Sequence, residues 1–329
     1  MKFSLSDDVL AIQEGLRAAL RSSCPAELLH VAASREGDQR VRELSKLLGD
    51  MGVLGLLVPE AQGGLGFDEL FLVVALEELG YVAAPGPLGE TIALAAPLLA
   101  ETPGQEALLD EVLKGTALVA YDEGEGHVAY AQVSDALILM RGGKLGLALR
   151  EEVTVTPVAT VDLSRRAGEV EVNASSVALS GDGVLRARDR ATLAAAAELV
   201  GLSSRMLDMT KSYVLTREQF GVPIGSFQAV KHALANVLIA IEFARPAVWR
   251  AAVSMSSGDA DASWHVSMAK SLAADAARQV AKTSIQCHGA MGYTVEYDLH
   301  HFAKRAWARC EDWGDSDFHV SRIADWLEI

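Results

Sequence analysis

The chain has 329 residues, of which 50% are apolar and 22% are charged, and its formal net charge at pH 7 is −15. The length allows a large core with two or three subdomains, and the composition is that of a folded globular protein. The acidic balance argues against a general nucleic-acid binder, which needs a basic surface against the phosphates. A small anionic ligand is still compatible, because a few local arginines are enough to hold one.

The first residues, MKFSLSDDVLAIQE, are acidic where a signal peptide needs a basic region and an apolar run. The longest uncharged apolar stretch, TIALAAPLLA at 91–100, has ten residues and is too short to span a bilayer. The three cysteines, Cys24, Cys287 and Cys310, are far apart in the sequence, which suits reduced thiols. We therefore expect a cytoplasmic protein with no membrane span.

Residues 1–115 are predicted to form a helical N-terminal domain. EGLRAALRSS, REGDQRVRELSKLLGDMG and FDELFLVVALEELG place apolar residues three and four apart, which is the period of an amphipathic helix. Gly49, Gly52 and Gly80 follow these runs, as helix-terminating glycines do. Asp68 is a predicted N-cap for the third helix.

Residues 116–187 are predicted to form a small middle β domain of about five or six strands. TALVAY, DALILM, KLGLAL and EEVTVTPVAT are short β-prone runs separated by glycine-containing breakers. From 188 to 329 the helical period returns, in segments at roughly 188–216, 226–257, 260–287, 296–309 and 316–327. The fold class is therefore α+β and mainly α, with a C-terminal helical bundle and no Rossmann-type alternation.

The stretch TREQFGVPIGSFQAVKH at 216–232 interrupts this helical pattern. A plain helix hairpin explains part of it, with Gly221 as C-cap, Pro223 as stop signal and Ser226 as N-cap. That explanation leaves three side chains without a role: Arg217, Phe220 and Gln228.

Arg217, Phe220 and Gln228 have side chains suited to different parts of one ligand. An arginine fork binds an anionic group, an aromatic ring packs on a flat one, and a glutamine amide bonds to a polar edge. Together these preferences describe a dinucleotide. A second stretch, QCHGAMGYTVEYDLHHFAKRAW at 286–307, has Gly289 and Gly292, where backbone can approach a ligand closely. Taken alone, this second stretch is a weak signal, because a glycine-rich end to a long helix usually marks only a turn.

The two stretches together resemble the flavin-dependent acyl-CoA dehydrogenases. Y-x-x-x-R-x-x-F-G-x-P-I-x-x-F-Q spans Tyr213 to Gln228, and Q-x-x-G-x-x-G-Y spans Gln286 to Tyr293. GLLVPEAQGGLGFDELFLVVALEELG resembles the N-terminal V-P-E-x-x-G-G-x-G run of that family. The resemblance covers essentially the whole chain and implies three domains, at 1–115, 116–187 and 188–329. It also implies bound FAD, an acyl-CoA thioester substrate and assembly as dimers of dimers.

In that family the residues of these two motifs contact the ADP half of FAD across a dimer interface. The resemblance implies that Arg217 faces the pyrophosphate, that Phe220 packs on the cofactor and that Gln228 bonds toward the adenine end. The remaining residues implied to line the same half are Gln286, Gly289 and Gly292. Ala290 stands where the family usually has a further glycine, which is a modest departure.

The chain departs from the family at the catalytic base. Many members have a glutamate directly before a Gly-Thr/Ser turn, and the matching residue before Gly314 is Trp313. Others carry it ten residues before a glycine that matches Gly201, where this chain has Ala191. Neither usual base is therefore present.

Acidic residues lie next to Trp313, and two of them could act from a shifted position. Asp312 and Asp315 are the weak candidates for a displaced base, which must reach the α-proton of the substrate. The simpler interpretation is that these acids, with Glu311, are solvated at a helix start, where a negative charge is favourable.

The middle domain also lacks the family's T-E-P-x-x-G-S-D-type loop, which holds the flavin ring and the thioester. The corresponding stretch, VAYDEGEGHVAY at 119–130, has no serine or threonine, and Glu123 and Glu125 add negative charge. The sequence therefore keeps the ADP-facing half of the cofactor site and has lost much of the flavin and acyl half. This pattern resembles the shortened, degenerate subunit of heteromeric actinobacterial acyl-CoA dehydrogenases, in which a full-length chain carries the chemistry.

The leading hypothesis is a subunit of a heteromeric FAD-dependent acyl-CoA dehydrogenase that supports the active site of a full-length homologue. One alternative is a self-sufficient dehydrogenase, a homo-oligomer with a displaced acidic base. Another is a non-catalytic structural or regulatory homologue. We expect no metal site, because the spacing of the cysteines and of His288, His300 and His301 matches no zinc pattern.

Overall fold

The structure, a computed structural model, describes residues 5–124, 126–141, 143–173, 177–179 and 183–329. The chain divides into two compact units. The first comprises Met1–Ala75 and Ala84–Ala194, and the second comprises Leu76–Ala83 and Ala195–Ile329.

The N-terminal part of the chain is helical, as the apolar spacing predicts. Its helices are α1 (Asp7–Ser23), α2 (Ala26–Val31), α3 (Arg35–Asp50), α4 (Glu69–Tyr81), α5 (Leu88–Glu90), α6 (Ala96–Glu101) and α7 (Glu106–Leu113), with a π-helical turn at Thr91–Ala95 between α5 and α6. Asp68 caps α4, because its Oδ1 accepts hydrogen bonds from the backbone N–H groups of Leu70 and Phe71. The N-cap predicted at Asp68 is therefore confirmed.

Six short strands follow the first helices in the part of the chain that the structure describes. They are β1 (Val119–Asp122), β2 (Ala136–Arg141), β3 (Lys144–Leu149), β4 (Val153–Pro157), β5 (Gly168–Val172) and β6 (Val177–Ala178). One sheet has the order β1-β2-β3-β6, in which only β1 and β2 run parallel, and β4 pairs with β5 in a separate antiparallel ribbon. Alternate side chains of these strands form an apolar core, which includes Leu137, Leu139 and Val153.

The C-terminal part of the chain is a set of long helices. They are α8 (Gly183–Thr216), α9 (Gln228–Ser256), α10 (Ala262–His288), α11 (Leu299–Glu311) and α12 (Ser316–Trp326). In the second unit α10 packs against α9, α11 and α12. Small buried residues of α10, such as Ala269, Ala273 and Ala277, allow these helices to approach closely.

Two of the three predicted helix-terminating glycines have a different role. Gly80 lies inside α4, where an added Cβ would be 2.2 Å from the carbonyl oxygen of Glu198. On α8, a Cβ at Gly201 would be 2.0 Å from the carbonyl oxygen of Glu77. These glycines therefore allow direct backbone contact between the two helices. Gly49 likewise lies inside α3, against the Lys114 backbone.

Gly52 follows α3 with φ of 75°, so the terminating role predicted for it is confirmed. No helix in the described part of the chain is both long enough and apolar enough to cross a membrane. The order along the chain is helices, a small β region and long helices, and the predicted fold class is confirmed.

Candidate functional site

The stretch after α8 forms a tight β-hairpin. Strands β7 (Glu218–Gln219) and β8 (Val222–Pro223) pair across a two-residue turn. Phe220 and Gly221 form this turn with φ of 55° and 79°, and two positive φ values are characteristic of a type I′ turn. Gly221 is thus a hairpin residue, and the C-cap role expected for it is wrong.

The helix after the hairpin begins without the expected serine cap. α9 starts at Gln228, and Phe227 precedes it with no side-chain capping bond. The Ser226 hydroxyl instead donates to the carbonyl oxygen of Pro223 at 2.7 Å, across the 3₁₀ turn Ile224–Ser226. The N-cap predicted at Ser226 is therefore wrong, because its hydroxyl is satisfied by a nearer backbone group.

The three side chains that the helix-hairpin explanation leaves without a role all face solvent. Arg217 and Gln228 are exposed, and Phe220 is 94% exposed. The Phe220 ring has an edge contact with Phe227, with 6.2 Å between the ring centroids. Among the residues that the structure describes, the Arg217 guanidinium has no ion pair or hydrogen bond. These side chains therefore contribute little to the packing of their own chain.

Phe220 occupies a position that its residue type does not favour. A bulky side chain at positive φ is strained, and glycine or asparagine is preferred at this place in a type I′ turn. A nearly fully exposed ring gains little burial energy to offset that strain. Strain of this kind, concentrated on an exposed aromatic residue, is typical of a binding site.

The second stretch forms a turn at the end of α10. Gly289 follows the helix with φ of 58°, and nothing lies within 4 Å of an added Cβ there, so its surroundings are open. Gly292 is buried, and a Cβ there would lie 2.9 Å from the carbonyl oxygen of Ile285. Internal packing thus already requires glycine at 292. Gln286 is exposed on the last turn of the helix.

The β-hairpin at 218–223 and the turn at Gly289–Tyr293, called the glycine turn below, are connected through aromatic side chains. Tyr213, in the last turn of α8, stacks on His288 with 4.2 Å between ring centroids. The imidazole of His288 also contacts Tyr297, with 4.8 Å between centroids. The structure therefore brings together the two stretches that the sequence places about sixty residues apart.

The loop after α11 holds Trp313, at the position where the sequence analysis expects the base of many family members. Trp313 is 3% exposed and has φ of 63°, and Gly314 follows with φ of 98°. A Cβ at Gly314 would lie 2.4 Å from the Phe318 ring and would push that ring aside, and the positive φ also favours glycine here. The Trp313 carbonyl accepts a hydrogen bond from Nε2 of the buried His319 at 3.1 Å. Trp313 is thus a packed part of the interior.

The two acidic candidates near Trp313 are engaged within the chain. Asp312 accepts a hydrogen bond from the Arg309 guanidinium at 2.9 Å. Asp315 is the N-cap of α12 and accepts from the backbone N–H of Phe318 at 2.8 Å. Each carboxylate therefore has a structural role in this loop.

Lys270 is a buried residue beside this loop that the sequence analysis missed. It is fully buried on α10, and its Nζ donates to the carbonyl oxygens of Cys310 and Gly314, each at 2.8 Å. Burial lowers its pKa from 10.5 to about 8. The helical period does carry a signal, because Lys270 lies on the same apolar stripe as Val266 and Ala273.

The remaining predicted positions lie in the first unit. Ala191 is buried within α8. In the stretch 119–130, Asp122 pairs with Arg141, and Glu123 is partly buried. Glu125 lies outside the described residues. The Asp122 carboxylate is therefore neutralised by a partner of its own chain.

Two family models match most of the chain. Residues 11–117 match the acyl-CoA dehydrogenase N-terminal domain, and residues 185–328 match the C-terminal domain. A curated relative, acyl-CoA dehydrogenase IpdE2 of Mycobacterium tuberculosis, is 32% identical and aligns over 86% of this chain and 85% of its own. This chain belongs to the acyl-CoA dehydrogenase family.

Solved structures of acyl-CoA dehydrogenases extend this similarity to the fold. A variant of the Tcur3481-Tcur3483 steroid ACAD has a TM-score of 0.89 at 27% identity and is covered over 99% of both chains. The ChsE4-ChsE5 complex from Mycobacterium tuberculosis has a TM-score of 0.87 at 28% identity, with 100% of this chain and 99% of that chain covered. As a member of this oxidoreductase family, the chain is an FAD-type acyl-CoA dehydrogenase.

Proposed function

We propose that this chain is a subunit of a heteromeric acyl-CoA dehydrogenase. It contacts the ADP half of the FAD whose flavin ring is held by a full-length partner chain, and it has no catalytic base of its own. The observation that carries this proposal is the hairpin turn, in which a strained and 94% exposed Phe220 accompanies an exposed Arg217 that has no partner in the described residues. Such groups are suited to a ligand or a surface outside their own chain.

The residues at the hairpin and the glycine turn fit the ADP half of FAD. The Arg217 guanidinium would face the pyrophosphate, since a planar fork matches phosphate oxygens. Phe220 would pack on the cofactor, and Gln228 and Gln286 would bond to its polar edges. The open surroundings of Gly289 leave room for the same ligand. When bound, the flavin supplies the hydride acceptor for α,β-dehydrogenation of an acyl-CoA thioester.

The loop at Trp313 supports a role without catalysis in this chain. A base must reach the α-proton of the substrate, and here that loop position holds a buried indole. The neighbouring carboxylates of Asp312 and Asp315 are held by Arg309 and by the start of α12. A self-sufficient enzyme with a displaced base would have to use one of these carboxylates for proton transfer while it also keeps its structural contact.

An exposed apolar face on α9 supports a partner chain. Leu238, Ile239 and Phe243 are 47%, 53% and 71% exposed and lie with exposed Pro246 on one side of the helix. Several large apolar side chains exposed on one side of a helix, with the charged Glu242 among them, are a common feature of a protein–protein interface. This face lies on the same helix as Gln228, so docking there would bring the partner to the cofactor-contacting residues. The similarity to the solved ChsE4-ChsE5 complex, which contains two different chains, supports a second chain as that partner.

The proposal extends to the substrate class and the location of the complex. The similarity to a steroid ACAD favours a bulky acyl-CoA thioester. The three free thiols favour a reducing compartment, in agreement with the cytoplasmic location expected from the sequence.

The test compares this chain purified alone with the same chain co-expressed with a full-length homologue. The partner would be encoded beside it and retain a glutamate before a Gly-Thr or Gly-Ser turn. Flavin absorbance and acyl-CoA-dependent reduction of an artificial acceptor are measured for both preparations and for the partner alone. We expect flavin and turnover in the complex only. Acyl-CoA oxidation by this chain alone would contradict the proposal.

A further inference from the structure

One contact connects the two stretches proposed to hold the ADP half of FAD, and the inference that follows depends on that proposed function. The Tyr213 ring stacks on the His288 ring at an interplanar angle of 25°, with 4.2 Å between centroids. The Tyr213 hydroxyl also donates to the carbonyl oxygen of His288 at 3.4 Å. The hairpin and the glycine turn are therefore joined by a stacked aromatic pair and a weak hydrogen bond.

Tyr213 lies directly beneath Arg217 in the last turn of α8. The backbone N–H of Arg217 donates to the carbonyl oxygen of Tyr213 at 2.8 Å. The Arg217 carbonyl in turn accepts from the N–H of Ile224 at 2.8 Å, which ties the far side of the hairpin to the same residue. The backbone of Tyr213 is therefore hydrogen-bonded directly to the backbone that carries Arg217.

His288 has the same relation to the glycine turn. It is the last residue of α10, directly before Gly289, and it is 3% exposed. Its Nδ1 donates to the carbonyl oxygen of Ser284 at 2.7 Å, which fixes the ring orientation. Its position therefore sets the direction in which the chain leaves the helix toward Gly289.

Stability alone does not account for an imidazole at position 288. The buried Nε2 has no hydrogen-bond partner in the part of the chain that the structure describes. A buried acceptor without a partner is unfavourable, whereas a leucine or methionine of similar size would have no such atom. The backbone carbonyl of Ser284 is already within a helix, so it does not require the imidazole either. What the imidazole adds is a flat ring that stacks on Tyr213.

We propose that Tyr213 and His288 are positioning residues, which hold the hairpin at Arg217 and the turn at Gly289 in one fixed relation so that both bind the same ADP group. Neither side chain has to touch the ligand. Preorganisation of this kind raises affinity, because the ligand does not have to order two separate segments when it binds.

The test uses the complex with the full-length partner, stripped of flavin and titrated with FAD and, separately, with ADP. Tyr213→Leu removes the stacking ring and is expected to weaken both ligands about fivefold, the scale of one aromatic pair. His288→Met keeps the volume but removes the ring, and it tests the pair from the other side if Tyr213→Leu fails to assemble. Tyr213→Phe keeps the ring and is expected to retain nearly full affinity.

A control and a double-mutant cycle separate positioning from general loosening of the fold. Trp326→Leu removes a stacked ring from Trp264 elsewhere in the same unit and should leave both affinities unchanged. If Tyr213 acts through Arg217, Tyr213→Leu should weaken FAD less in an Arg217→Ala background than in the wild type. Fully additive effects, or a loss of FAD affinity with ADP unchanged, would overturn the positioning role alone. No effect of Arg217→Ala on FAD would overturn the proposed function and the pair with it.

Discussion

Two polar segments of the second unit differ in where their side chains find partners. At the hairpin, Arg217 and Phe220 are exposed, and the aromatic residue adopts a strained backbone conformation. At the loop after α11, Trp313 is buried, and Lys270 and His319 donate to the loop carbonyls. Where the contacts of a side chain all lie within its own chain, its contribution to folding stability explains why it is there. A strained, exposed group is better explained by contact with something else, and this contrast underlies the proposed division of work between two chains.

Truncation of Trp313 should have the largest effect on stability. Trp313→Ala leaves a cavity in a packed interior, and we expect the free energy of unfolding to fall by about 3–5 kcal/mol. Urea unfolding of the purified chain measures this loss. Turnover per flavin in the assembled complex should be unchanged. The contrast between the two segments breaks down if turnover falls while the complex still assembles with full flavin.

Lys270→Met should have the next largest effect. The substitution leaves the carbonyls of Cys310 and Gly314 without their donor, at an expected cost of about 2–3 kcal/mol in unfolding free energy. Urea unfolding measures this cost. The matched control is Lys282→Met, which changes an exposed lysine on the same helix and should cost almost nothing in unfolding free energy.

The lowered pKa of Lys270 also predicts a pH dependence of stability. The folded chain releases this proton at about 8 and the unfolded chain near 10.5, so the unfolded state binds more protons between these values. Stability should therefore gain a contribution as pH rises from 8 toward 10.5, and below 8 the full penalty of the buried charge is present. Unfolding of the wild type and of Lys270→Met across this range checks the sign. An equal slope in both proteins would contradict the assignment to Lys270.

The neighbouring acids should matter less, and only for stability. Asp315→Asn keeps a capping oxygen at the start of α12 and loses only its negative charge, so it should reduce the unfolding free energy by less than about 1 kcal/mol. Asp312→Asn weakens the charge-assisted bond to the buried Arg309 and should cost about 1–2 kcal/mol. Turnover of the complex should be unchanged in both variants. The measurement is acyl-CoA-dependent reduction of an artificial acceptor. Abolished turnover with flavin still bound would identify a displaced base and favour the self-sufficient enzyme.

Phe220→Asn should have the smallest effect on stability, and it should be favourable. Asparagine tolerates positive φ, so we expect a gain of about 0.5–1 kcal/mol. The affinity of the complex for FAD should nevertheless fall a few-fold, because the exposed ring is lost. Thermal unfolding and FAD titration of the same variant separate these two changes. A variant that is more stable and binds FAD normally would show that Phe220 has no role at the cofactor.

Much of this arrangement could be predicted from local sequence patterns. The apolar spacing predicts the bounds of α8 to α12 to within a few residues of the observed ones, because each helix buries one continuous face. The motif residues Arg217, Phe220 and Gln228 also stood out, since a plain turn does not explain their side chains. These features depend on short-range order or on residue type.

The features that sequence analysis missed depend on contacts between distant segments. Gly80 looked like a helix end, but its absent side chain is required by contact with α8, more than a hundred residues further on. Lys270 looked like an ordinary helical lysine, although its buried amine bonds to a loop forty residues away. Tyr213 was part of the motif but had no assigned role until its stacking on His288 was visible.

The central claim is that Arg217 serves a cofactor shared with another chain, and one titration tests it most directly. The complex of this chain with its full-length partner is stripped of flavin and titrated with FAD, with Arg217 intact or changed to alanine. Loss of a charge-assisted bond to the pyrophosphate should weaken FAD by about ten- to a hundredfold, with almost no change in thermal stability. Lys211→Ala, which removes an exposed charge from the same helix, should have no effect. An Arg217→Ala complex that binds FAD as tightly as the wild type would contradict the account.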